Sequence, residues 1–172
     1  MREDKLPGFE NAYVMWTSPQ VGIREGRRIV GEYVLTAEDV LGGRTFPDGI
    51  AKGAYPADIH DPKGGPHSFR FIKDGGSYDV PYRCLVPKGI ENLLVAGRAV
   101  SCDHVALGSV RLQATVGAIG HAAGAAAALA VKRGVSPRHV PVDELQRTLV
   151  AQGAYLGERF AEVPAPQPPA AA

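Results

Sequence analysis

Apolar positions recur along this chain with two periods, one of strands and one of helices. Ala12-Tyr13-Val14-Met15-Trp16 is a short aromatic and β-branched run closed by Thr17-Ser18-Pro19, which predicts a strand. From Arg28 to Leu35 apolar and polar positions partly alternate, which predicts a second, half-buried strand. Thr36 stands three residues ahead of Asp39, close to a capping box, and Gly42-Gly43 ends the short helix it would start. Arg44 to Gly76 is long and rich in Gly, Pro, Asp and His. Its turn chemistry predicts a loop, and Tyr55, Phe69 and Phe71 predict that the loop packs and has a function.

The second half of the chain carries the strongest patterns. Asp79 to Pro87 reads as an extended edge strand between two prolines. Asn92-Leu93-Leu94-Val95-Ala96-Gly97 is a continuous apolar run, the pattern of a strand buried on both faces. A loop from Arg98 to Ser109 follows. Arg111 to Arg133 is alanine-rich and free of proline, and it ends in Lys132-Arg133-Gly134, a good helix terminus. Ser136-Pro137 marks a turn, and Asp143 opens an amphipathic helix with Val142, Leu145 and Leu149 on one face, stopped near Gly153. The Pro- and Ala-rich tail beyond Phe160 predicts disorder.

Composition narrows the function classes. A length of 172 residues supports one core, and 45% hydrophobic with 22% charged residues is ordinary for a soluble globular chain. Nineteen basic and eighteen acidic side chains leave a formal charge of +1, so no net field gathers nucleic acid. Two cysteines, Cys84 and Cys102, are too few for a disulfide scaffold and fall short of the about four thiolates of an iron–sulfur cluster. Without C-x-x-C spacing they read as structural. Met1 to Pro7 is charged with no apolar run behind it, and Ala122 to Val131 is shorter than the roughly 20 residues of a membrane span. The expectation is a cytoplasmic protein with no membrane partner.

Candidate chemistry gathers where the apolar run, Gly97-Arg98, a loop and the long helix succeed one another. A helix amino terminus offers unpaired N–H groups and partial positive charge, which suits an electron-rich ring such as reduced flavin. Glycine at the strand end lets a flat cofactor approach the backbone. Gly117, Gly120 and Gly124 fall three and four residues apart inside the helix, each costing about 1 kcal/mol relative to alanine. A smooth face is wanted there, and helix-to-sheet packing without any cofactor accounts for the spacing equally well. Asp58, His60, Asp61 and His67 are possible metal ligands. Their Gly/Pro-rich context predicts no helix or strand to fix ligand geometry, so no metal is assigned.

A family resemblance separates these readings. Residues 21–33, from Val21-Gly22-Ile23-Arg24 to Gly31-Glu32-Tyr33, then Pro81-Tyr82-Arg83-Cys84-Leu85-Val86-Pro87-Lys88-Gly89-Ile90, then Asn92 to Arg98, closely resemble the bacterial FAD-dependent oxidoreductase family. The likeness continues through His104, Gly108-Ser109-Val110-Arg111, Gly117, Ala122-Ala123-Gly124 and Gln152-Gly153-Ala154-Tyr155-Leu156, covering about residues 10–156. It implies an α/β chain: a partial FAD-binding fold, Rossmann-like and glutathione-reductase-like, with substrate-domain strands and a terminal Ala/Gly-rich helix. Residues 1–90 would be the substrate-domain portion and long loop, residues 91–160 the carboxy-terminal part of the FAD-binding domain, and residues 161–172 a disordered tail.

With a flavin in view, individual residues take candidate roles, each set against a plain solvated or structural one. FAD would be held at Gly97, Arg98, Ser109, Val110, Arg111, Leu112 and Gln113. Arg111, at the predicted helix start, would stabilise charge developing on the flavin or a substrate carboxylate. His104 would exchange a proton, since imidazole titrates near neutrality. Arg24 and Arg28 would clamp an anionic substrate group, with Tyr82 and Arg83 near the ring's far edge; Glu25 and Glu32 are near enough in sequence to pair with these arginines or Arg27. The family's G-x-G-x-x-G unit does not occur in these residues. The chain then reads as a fragment, a split-gene product or one half of a two-chain enzyme, with a second chain carrying that unit as a possible partner besides a small-molecule substrate. The alternative is a non-catalytic module that docks onto a flavin-binding subunit.

Overall fold

The computed structural model describes residues 7–61 and 65–160. The predicted disorder beyond Phe160 lies outside them. Helices alternate with two small sheets: α1 (Ala37–Leu41), β1 (Gly49–Gly53), β2 (Ala57–Ile59), β3 (Ser68–Arg70), β4 (Tyr78–Pro81), α2 (His104–Val110), α3 (Gln113–Arg133) and α4 (Val142–Ala151). β1 pairs antiparallel with β4 around a register shift between Gly49 and Ala51, and β2 pairs antiparallel with β3. The chain is thus mixed α and β, as expected.

The capping box forms as read: Thr36 Oγ1 accepts from the Asp39 amide at 3.3 Å and Asp39 Oδ2 accepts from the Thr36 amide at 3.0 Å. α3 ends at Gly134 in the left-handed region, φ +64°, behind Lys132 and Arg133. α4 buries Leu145 and Leu149, and Gln146 Nε2 donates to the carbonyls of Pro47 and Gly49, which staples the helix to β1.

Several expectations need correction. Ala12–Trp16 is no strand; it lies exposed, with Tyr13 75% and Trp16 76% accessible, because nothing in the described residues pairs with it. Residues 28–35 form no ladder. They thread between residues 83–88 and 99–103 with single bonds to either side, such as Glu32 N–H to Val86 O and Leu35 N–H to Ser101 O, and isolated bridges at Gly31 and Leu35. The 92–97 run is neither strand nor fully buried, since among the described residues only its Val95 N–H reaches a neighbour, Leu85 O at 2.9 Å. The excursion from Arg44 to Gly76 contains β1, β2 and β3 rather than turns alone. Residues 79–87 are strand only as far as Pro81, then a tight 3-10 turn at Tyr82–Cys84. The loop predicted from Arg98 to Ser109 contains α2, and the long helix starts at Gln113, not Arg111.

One hydrophobic core joins both halves of the sequence, running from Leu35, Val40 and Ile50 through Tyr78 and Leu107 to Ile119, Leu145 and Leu156. By length and composition α3 could cross a membrane. Its Ile119, Ala122, Ala126 and Leu129 belong to this core.

Candidate active site at the amino end of the long helix

α2 and α3 are separated by Arg111 and Leu112 alone, and that junction builds the site. Arg111 is the C-cap of α2, its N–H bonded to Leu107 O. A cation there complements the negative end of α2, so the dipole penalty expected at a helix start does not arise. Leu112 caps α3 without any side-chain hydrogen bond, so the first amides of α3 have no side-chain partner from their cap.

Two cavities open at that end. One, of about 330 Å³, is lined by Arg24, Tyr55, Asp58, Arg98, Arg111, Leu112 and Gln113. The other, of about 590 Å³, is lined by Lys52, Ala54, Tyr55, Leu112, Gln113, Ala114 and Thr115. Gly97 lies beside Arg98 at φ +76°, a conformation that favours glycine, and a side chain there would meet open space.

Arg111 is 9% exposed and organises the charges. Its Nη2 donates to the carbonyl of Asp58 at 3.1 Å and to Asp58 Oδ2 at 3.2 Å, and its Nη1 lies 3.7 Å from Glu25 Oε1. Glu25 Oε2 in turn stands 3.1 Å from His104 Nδ1, and Arg24 Nη2 donates to Asp58 Oδ2 at 3.2 Å. Arg111 Nε, Glu25 Oε1 and Asp58 Oδ1 are buried without a hydrogen-bond partner. Unmet polar atoms around an open cavity are what a polar ligand would satisfy.

The structure brings together Arg24, Arg98, Arg111, Leu112 and Gln113, with His104 joined through Glu25. It does not bring the others there. Ser109 and Val110 are fully buried; Ser109 Oγ bonds Tyr78 Oη at 2.7 Å and the Tyr55 carbonyl, so it supports the wall from behind. Tyr82 is buried elsewhere, its hydroxyl donating to Pro137 O, and burial pushes its pKa up to about 12. Arg83 is held by Asp48 through two bonds, at 2.8 and 3.1 Å, and lies over the Tyr33 ring. Arg28 lines neither cavity. Glu25 and Glu32 do not pair with the neighbouring arginines; Glu25 serves Arg111 and His104, and Glu32 pairs with Arg138. Cys84 and Cys102 are buried free thiols whose pKa values burial raises, to about 12 for Cys102. They act as core residues.

Sequence reading named Tyr55 as a packing residue and Asp58 as a possible metal ligand, but placed neither at this cavity and did not give Glu25 its partners. Asp58 is half of an ion pair whose partners, Arg24 and Arg111, lie 34 and 53 positions away. No local signal could have joined them.

Residues 2–149 match the family described as FAD dependent oxidoreductase. The chain belongs to that family. Its cofactor is therefore FAD. No curated protein and no solved structure matches the chain.

Proposed function

We propose that this chain is the carboxy-terminal part of an FAD-dependent oxidoreductase acting on a small-molecule substrate in the cytoplasm. The observation that carries the reading is the uncapped amino end of α3, open to a cavity beside the buried Arg111. Arg98, Arg111 and Gln113 would hold the cofactor, and Arg24 an anionic substrate group. Bound FAD supplies a ring that accepts and returns hydride. The chain's own residues orient and balance charge. Arg111, buried, stabilises negative charge at the cavity wall, while Asp58 and Glu25 hold its guanidinium in position. His104 has Nδ1 turned to Glu25, which leaves Nε2 to carry a proton to or from the substrate.

In this reading residues 91–160 complete a Rossmann-like FAD-binding fold whose G-x-G-x-x-G unit comes from elsewhere, and residues 1–90 belong to the substrate side. The half-exposed apolar 92–97 run, bare of strand partners among the described residues, favours such a complement. The same feature supports the second reading, a non-catalytic module docked onto a flavin subunit.

Titration of the purified chain with FAD, followed by flavin fluorescence, tests both parts. The expected result is weak binding that Arg111→Gln weakens further by about tenfold or more, the loss of a charged hydrogen bond. Tight, stoichiometric binding by the chain alone overturns the need for a complement. Weak binding that is indifferent to Arg111→Gln overturns the site.

A further inference from the structure

We propose that Asp58, His60 and His67 form a binding site for a divalent first-row transition metal on the β2–β3 hairpin. The pleat of the hairpin makes it. Ala57 lies opposite Arg70, Asp58 opposite Phe69 and Ile59 opposite Ser68. One further step in that register sets His60 opposite His67. Alternate residues of a strand share a face, and so do directly opposed residues on paired strands. Asp58, His60 and His67 therefore project to one side. One ligand atom from each lies within 4.8 Å of the others. The imidazole rings meet edge to face with centroids 4.0 Å apart, and His60 Nε2 stands 3.3 Å from Asp58 Oδ2.

An ordinary turn would leave such groups solvated or paired. Here His60 Nε2 and Asp58 Oδ1 are both buried without a hydrogen bond, and Asp58 as a whole is only 9% exposed. Buried polar atoms left unmade are costly, and one cation would satisfy both. Arg24 and Arg111 both donate to Oδ2, which fixes the carboxylate and leaves Oδ1 without a hydrogen-bond donor. Two guanidinium groups nearby oppose any dication, so affinity must come from the imidazole nitrogens. That donor set selects metals such as zinc or iron(II) over magnesium and calcium. Two imidazoles and one carboxylate leave coordination positions open, as in catalytic rather than structural sites. Asp58 also lines the cavity at the α3 amino end, so this metal and that cavity would share a residue.

The proposal does not depend on the flavin reading, and its test contains no flavin. Zn2+ is titrated calorimetrically into the metal-free chain, with Mg2+ as the comparison and circular dichroism to verify that each variant folds. One equivalent of Zn2+ should bind, with no heat from Mg2+. His60→Ala and His67→Ala should each weaken Zn2+ by at least about tenfold, since even outer-shell changes cost that much. His139→Ala, on the far 3-10 turn, should leave it unchanged. His67 is exposed, so its variant decides the matter should His60→Ala misfold. Visible d–d bands of the Co2+ form should disappear in His67→Ala. Absence of Zn2+ binding, Zn2+ binding retained in His67→Ala, or Mg2+ binding of equal strength overturns the proposal.

Discussion

Asp39 takes hydrogen bonds from the Tyr33 hydroxyl at 2.8 Å, the Thr36 amide at 3.0 Å and Arg44 Nη1 at 2.8 Å. Burial by itself would raise its pKa. The bonds from the Thr36 backbone, Arg44, Tyr33 and the Thr36 hydroxyl together outweigh that and hold it below the ordinary aspartate value. A carboxylate whose folded pKa lies below its unfolded one adds stability above the unfolded pKa, and that stability is lost as pH falls through the folded value. Asp39→Asn should therefore cost about 1–2 kcal/mol near neutrality, measured by urea unfolding, as for loss of a cap with a charged bond. The gap to wild type should close as pH drops below about 4, the ordinary aspartate range. A gap that stays constant with pH would mean the carboxylate's charge is irrelevant. The capping half of this arrangement was legible, because Thr36 stands three residues ahead of Asp39; the bonds from Tyr33 and Arg44 were not. Glu25 was not. Its neighbours offered three arginines, and it chose Arg111 and His104, which only the fold brings near.

At the scale of elements, α2 decides where the site stands. Gly108 and Ser109 gave its sequence the look of a loop, yet Asp103 caps it by accepting from the Ala106 amide at 2.7 Å and ties it to α1 by accepting from the Ala37 amide at 2.6 Å. The Asp103 spacing was the available signal. Gly108 lies against β2, where an added Cβ would sit 2.8 Å from the Asp58 carbonyl oxygen and 3.2 Å from its backbone carbon. Alanine raises helix propensity by about 1 kcal/mol over glycine. Here overpacking against backbone should win, so Gly108→Ala is expected to destabilise by about 1–3 kcal/mol and to loosen Asp58 from Arg111. Thermal unfolding checks the first effect; an unchanged or higher melting temperature would show that β2 gives way freely. β1 and β2 escaped prediction for a related reason: Gly49-Ile50-Ala51-Lys52-Gly53 has little strand propensity of its own, and β4 supplies the pairing.

For the molecule as a whole, α3 presents two unlike faces. Ile119, Ala122, Ala126 and Leu129 lie in the core, while Gly117, Gly120 and Gly124 are exposed, and a side chain at any of them would meet nothing within 4 Å. Inside this structure the glycines serve no packing need, so Gly120→Ala should stabilise the isolated chain by about 0.5–1 kcal/mol, read as a higher urea midpoint. A lower midpoint would mean that the glycine face packs against something within this chain. Local patterns along the chain were enough to establish the family, the capping box, the long alanine-rich helix with its Lys-Arg-Gly end, and the amphipathic helix that follows. These rest on local patterns, and contacts a few residues apart suffice to form them. Tertiary structure alone decided that the 92–97 run would lack strand partners, that Arg111 would close one helix before the next begins, and that Asp58 would meet two arginines and two histidines. Strands and charge clusters are completed by partners far along the chain, and propensity carries no record of which partner arrives.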